Sequence, residues 1–165
     1  MIEAIIGAVG SFITRIFTDK LSGSKKLNKW DERLANKFLN ELPSSSSAIG
    51  ILKEQDFEGS FSVEYFKPLN RFHSYWTDPD HQFNNKKLNA IMSEFIEELG
   101  KLKALVGQHT APVTGQPHNQ RIYYEYDDPK REEFANAMNN QSSSAFDAYT
   151  KFCSLIKKYD FEPVN

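Results

Sequence analysis

Between Leu88 and Val106 the apolar residues fall at Leu88, Met92, Phe95, Leu99, Leu102 and Val106, alternating steps of four and three without a gap. Such spacing fills one face of a helix, and Ile91, Ile96 and Leu105 widen that face into a core-facing stripe. A helix of this kind is stable in water only when other helices cover its stripe, so the rest of the chain reads as its partners. The 165 residues suffice for one domain, with a radius of gyration of roughly 15 Å and about 70% of the extended-chain surface buried on folding. Hydrophobic residues at 39%, with 13 Phe among them, are enough for a real core.

Met1 to Leu21 carries Ile2, Ile5, Ile6, Val9, Phe12, Ile13, Ile16 and Phe17 at helical spacing, with Gly7, Gly10 and Ser11 among them. Its uncharged run between Glu3 and Arg15 is 11 residues, against the roughly 20 needed to span a bilayer. Ala4, Gly7, Ala8 and Ser11 form small-residue pairs four apart, which allow close helix approach. Three roles stay open for this helix: a piece of the core, a docking element for a partner, or a peripheral membrane contact. Ser22, Gly23 and Ser24 then break the pattern, and a second helix is expected over 25–42 from Leu27, Trp30, Leu34, Phe38, Leu39 and Leu42, stopped by Pro43. Lys25, Lys26, Lys29, Arg33 and Lys37 lie mostly elsewhere around it as a basic surface, in a protein of net charge −2. That stripe is the sequence's support for anionic lipid or nucleic acid, and a pI near 6.1 argues against the latter.

Ser44 to Ser47 reads as a linker, Ala48 to Lys53 as a short helix or turn, and Asp56 to Phe61 as a turn whose two phenylalanines need cover. Ser62 is a plausible N-cap for a helix over 62–76 using Phe66, Leu69, Phe72 and Trp76, with Pro68 distorting its start. The central helix is expected over 85–106 and the last over 129–159, where Asn139 to Ser144 is a polar middle that could bend it. Asp78 and Asp128, each before a proline, suit helix starts, because a carboxylate there accepts from unpaired amides. Gly107 to Asp128 contains Pro112, Gly115 and Pro117 and is expected to be a long irregular loop carrying His109 and His118.

His73, Asp78, Asp80 and His81 lie close in sequence and are the residue types that bind a divalent metal or exchange protons, though their spacing matches no established ligand pattern. Glu125, Asp127 and Asp128 could hold a hard cation or simply start a helix. No glycine-rich phosphate cradle, nucleophile elbow or histidine pair four apart on a helix is present. Cys153, the one cysteine, excludes an internal disulfide and reads as a small, inert residue of an apolar face. Glu3 stands where a secretory signal would be basic, and a cytoplasmic place is expected, with attachment at the inner membrane face as an option.

Asp56, Phe57, Gly59 and Phe61, then Trp76, Asp78, Pro79, His81 and Phe83, then Tyr126, Asp128, Pro129 and Phe134 form a pattern of three motifs. In these the chain resembles a group of bacterial, mainly helical proteins to which no activity is assigned. The resemblance covers about residues 42–160 and implies a mainly helical core with a variable N-terminal attachment.

The expected fold is therefore a single all-α domain over 1–165, a helical bundle with a long antiparallel helical hairpin and one long irregular loop. The function ranked first is a non-catalytic protein-interaction or structural module, acting as a subunit or by self-association through the Met1–Leu21 helix, without a cofactor. Peripheral membrane association through that helix and the basic residues after it is the first alternative. A metal-dependent hydrolase built on His73, Asp78, Asp80 and His81 is the second.

Overall fold

The computed structural model describes residues 26–159; the expected N-terminal helix, from Ile2 to Phe17, and Lys25 lie outside them. Helix α1 (Lys29–Glu41) is started by Asn28, whose side chain accepts from the Asp31 amide at 2.9 Å, and ends two residues before Pro43. The linker serines do not form a passive connector: Ser46 caps α2 (Ser47–Glu54) by accepting from the Ile49 amide. A two-residue strand β1 (Phe61–Ser62) and a 3-10 turn (Val63–Tyr65) lead into α3 (Phe66–Trp76). Pro68 is tolerated because it sits in the first turn of α3, where its missing N–H has no intrahelical partner to lose.

The central helix α4 (Lys86–His109) begins later than the Asp-Pro motif suggests. Asp78 caps only a 3-10 turn (Pro79–His81), and Asn85 caps α4, accepting from the amides of Lys87 and Leu88. The last helix α5 (Asp128–Ile156) is likewise capped by Asp127, not by Asp128, which occupies the first helical position.

The expected irregular loop is the main departure from an all-α chain. Helix α4 continues through Gly107 to His109, and a hairpin of β2 (Thr110–Val113) and β3 (Gln116–Ile122) follows. Gly115, at φ 75°, supplies the left-handed residue its tight turn requires. β3 lies between β2 and β1 in a three-stranded antiparallel sheet, with Thr110 opposite Ile122 and Phe61 opposite Gln120. Pro112 is accommodated because β2 is an edge strand. Among the described residues the fold is thus mainly helical, five α-helices with one small sheet.

Helices α4 and α5 pass in opposite directions, with Asn85 bonded to the Tyr159 hydroxyl at one end and His109 stacked on Phe134 at the other. Phe38 of α1, fully buried, is the centre of the core. Its ring lies 4.4 Å from that of Phe152, 5.4 Å from Phe72, 5.6 Å from Tyr149 and 6.1 Å from Phe95, so α1, α3, α4 and α5 meet around it. Phe57, Phe61 and Phe66 make a second aromatic cluster, which covers the two turn phenylalanines.

The polar middle of α5 does not split it. Asn139 accepts from the Phe57 amide at 3.0 Å, Ser142 donates to the Leu52 carbonyl at 3.0 Å, and Gln141 donates to the Glu98 carbonyl at 3.1 Å. These residues are polar because they satisfy backbone groups of neighbouring elements inside the protein. No helix among the described residues is long and apolar enough to cross a membrane.

Candidate functional site

The short helix α2 lies beside the C-terminal half of α5 without covering it, and a groove of about 770 Å³ opens between them and the outer edge of α1. Leu39 of α1, Ser44 to Ser46, Ile49 and Gly50 of α2, and Phe146, Tyr149, Thr150, Cys153 and Ile156 of α5 line it. Its charged residues, Lys53, Glu54 and Lys157, are exposed at the rim, and the first two pair with each other at 3.2 Å. Gly50 sits mid-helix with no atom of the described residues within 4 Å of where a Cβ would be, so they leave the space above it open.

The two titratable side chains inside the groove, Tyr149 and Cys153, are both held protonated by burial. The Tyr149 hydroxyl donates to the Leu42 carbonyl at 2.9 Å, and burial pushes its pKa up, which keeps the proton in place. Burial likewise pushes the Cys153 thiol up, away from the thiolate a nucleophile needs. An apolar surface is what such a groove can take.

The groove was not among the sequence candidates. Its signal was a second apolar face: besides the inward Ala145, Ala148, Tyr149 and Phe152, α5 carries Phe146 and Cys153 at positions the core does not fully cover. Gly50 inside a helix of eight residues was the other, since glycine there costs about 1 kcal/mol against alanine unless close approach uses it.

The sequence cluster of His73, Asp78, Asp80 and His81 separates in space into structural parts. His73 faces α4 at Gly100, where a Cβ would stand 3.0 Å from its Nε2, and burial, with Lys103, lowers its pKa. His81 stacks on Tyr75 at 3.7 Å, with Nδ1 2.9 Å from the Tyr75 carbonyl oxygen. Asp78 accepts from the Asp80 amide at 2.9 Å, and Asp80 is exposed. His73, Asp78 and His81 do line one cleft of about 400 Å³, yet no three His, Cys, Asp or Glu among the described residues gather as a metal site. The turn after α3 commits Asp78 to a cap and His81 to a stacking contact, while His73 lies on α3 against Gly100. Of the acidic trio, Asp127 caps α5, Asp128 pairs with Arg131 and Glu125 is exposed.

His109, expected on a loop, ends α4 with its ring 3.7 Å from Phe134, while His118 is exposed on β3 beside Glu64. The basic surface keeps Lys26, Lys29 and Arg33 exposed, with Arg33 4.3 Å over Trp30. Lys37 is bound at 2.6 Å to Glu41, whose hydrogen bond raises its pKa, and lies over Tyr75. A further feature without a signal in the sequence is Arg121, whose buried Nε and Nη2 have no hydrogen-bond partner among the described residues while its guanidinium lies over Tyr124.

No family model, curated protein or solved structure matches this chain. The resemblance to the bacterial helical group thus gains no support from them and brings no activity to the site.

Proposed function

We propose that this protein is a non-catalytic interaction module, a subunit of a complex or a self-associating chain, with the apolar Met1–Leu21 segment as its docking element. In this reading the domain is a helical bundle framed by the long α4–α5 hairpin, and the bundle carries the docking surface rather than an active site. The observation that carries it is the apolar groove between α1, α2 and α5 on a body that also owns an apolar segment of matching character. A second reading, attachment to an anionic membrane, is favoured by the exposed Lys26, Lys29 and Arg33 directly after that segment.

Light scattering on the full chain and on a shortened chain beginning at Ser24, each over rising concentration, tests both. The shortened chain keeps every described core member from Leu27 to Ile156, and its far-ultraviolet circular dichroism first checks that it folds. An apolar surface left uncovered, whether segment or groove, shows as a gain in mass in one of the two. Two monomers at every concentration overturn the self-associating form of the reading. Co-sedimentation of the full chain with anionic vesicles at low salt, lost on shortening, would establish the membrane reading instead.

A further inference from the structure

We propose that the groove between α2 and α5 is the seat of the chain's own Met1–Leu21 segment, which packs there when no partner holds it. The inference rests on the reading of that segment as an apolar docking element, and adds what it docks on. Three observations carry it.

The first is where the chain leaves the body. Asp31, in the first turn of α1, accepts from the amides of Asn84 and Asn85 at 2.7 and 3.0 Å, and Asn85 donates to the Tyr159 hydroxyl at 2.7 Å. The start of α1 is therefore at the end of α5, where Ile156 and Lys157 close the groove. Residues 22–26 reach at most about 17 Å when extended, enough to turn the chain from α1 back into the groove's near end. Tethering at this distance gives an effective concentration on the order of millimolar, which favours the segment of the same chain over that of another.

The second is length. The groove follows α5 from Phe146 to Lys157, which at 1.5 Å per residue is about 17 Å. The apolar residues from Ile2 to Phe17, at the helical spacing of the sequence, extend over about 23 Å and so span it. Leu21 then lies at the Ile156 end and Met1 beyond Phe146, so the segment runs alongside α5 in the same direction.

The third is fit. The segment has no charge between Glu3 and Arg15, and the groove keeps its charges at the rim. The open space over Gly50 admits a helix at close approach, and Gly7, Ala8 and Ser11 are the small residues that would meet it.

Cys153 lines the groove and is the only cysteine, so it reports cover without any label. In the full chain its rate of alkylation by iodoacetamide is expected to rise at least tenfold when Ile13→Asp and Phe17→Asp are introduced together, with an unchanged near-ultraviolet circular dichroism showing that the core is kept. The raised pKa of the thiol is common to both proteins, so the ratio reads the cover alone. Gly50→Trp fills the groove from the other side, into space a Cβ enters freely, and is expected to speed tryptic cleavage after Arg15 to the same degree. Equal alkylation rates with and without the two aspartates overturn the proposal, as does unchanged cleavage in Gly50→Trp. Protection of Cys153 that grows with protein concentration also overturns it, by making a second copy the occupant. Self-association of the full chain with Cys153 unprotected would leave the interaction reading standing and remove only this seat.

Discussion

Asp31 is a carboxylate 1% exposed, with no lysine or arginine paired to it among the described residues. Three donors hold it instead: the Asn28 side chain at 2.8 Å and the backbone amides of Asn84 and Asn85. It thereby ties the first turn of α1 to the approach of α4, across more than fifty residues of sequence. In the sequence Asp31 is only an acid in a helix's first turn, where it suits the dipole; nothing local says that it turns inward. Replacing it with alanine removes the charged acceptor of two part-buried amides, those of Asn84 and Asn85, and a hydrogen bond to a charged group contributes about 1.5–3 kcal/mol. Asp31→Ala is therefore expected to lose about 3 kcal/mol, read as a lower urea midpoint at unchanged slope. Asn85→Ala, which removes the α4 cap and the bond to the Tyr159 hydroxyl but leaves its own amide on Asp31, is expected to lose about 1–2 kcal/mol. Equal losses from the two would show that capping, not the buried carboxylate, holds this corner.

The elements were legible to the degree that their burial is one-sided. Leu88, Met92, Phe95, Leu99 and Leu102 are all buried, so the stripe that announces α4 is the surface α4 buries. The hairpin after it announces nothing of the kind. Only Thr110 and Ile122 are buried in β2 and β3, at the end where the strands leave the helices, so no alternation marks them as strands. Pro112, Gly115 and Pro117 correctly exclude a helix, but excluding a helix does not distinguish a loop from a hairpin. The groove was hidden for a related reason: Phe146 and Cys153 read as ordinary members of a core face, and only the placement of α2 leaves them partly open. The hairpin's one backbone demand is Gly115 at φ 75°. A β-branched residue there is strained whatever the space around it, and Gly115→Val is expected to cost about 1–2 kcal/mol. Amide hydrogen exchange would show it first in β2 and β3, with α4 and α5 protected as before. Loss of protection throughout the helices would mean instead that the sheet is part of the core's cooperative unit.

At the scale of the whole molecule, the core and the groove make opposite demands on the same two helices. Phe38 stands where rings from α3, α4 and α5 converge, so its removal leaves a cavity that no single helix can close by shifting. Truncation of a buried phenylalanine to alanine costs about 3–5 kcal/mol, a large share of the roughly 5–15 kcal/mol that holds a domain of this kind. Phe38→Ala is expected to lower the melting temperature steeply and to weaken the near-ultraviolet circular dichroism of the whole aromatic cluster at once. Removing residues 1–23 is expected to act on the other surface: the core signal persists, while binding of an apolar dye rises as the groove is bared. The combination separates the two roles. If the shortened chain instead loses the same near-ultraviolet signal as Phe38→Ala, the N-terminal segment belongs to the core, and interaction must be sought elsewhere on the surface.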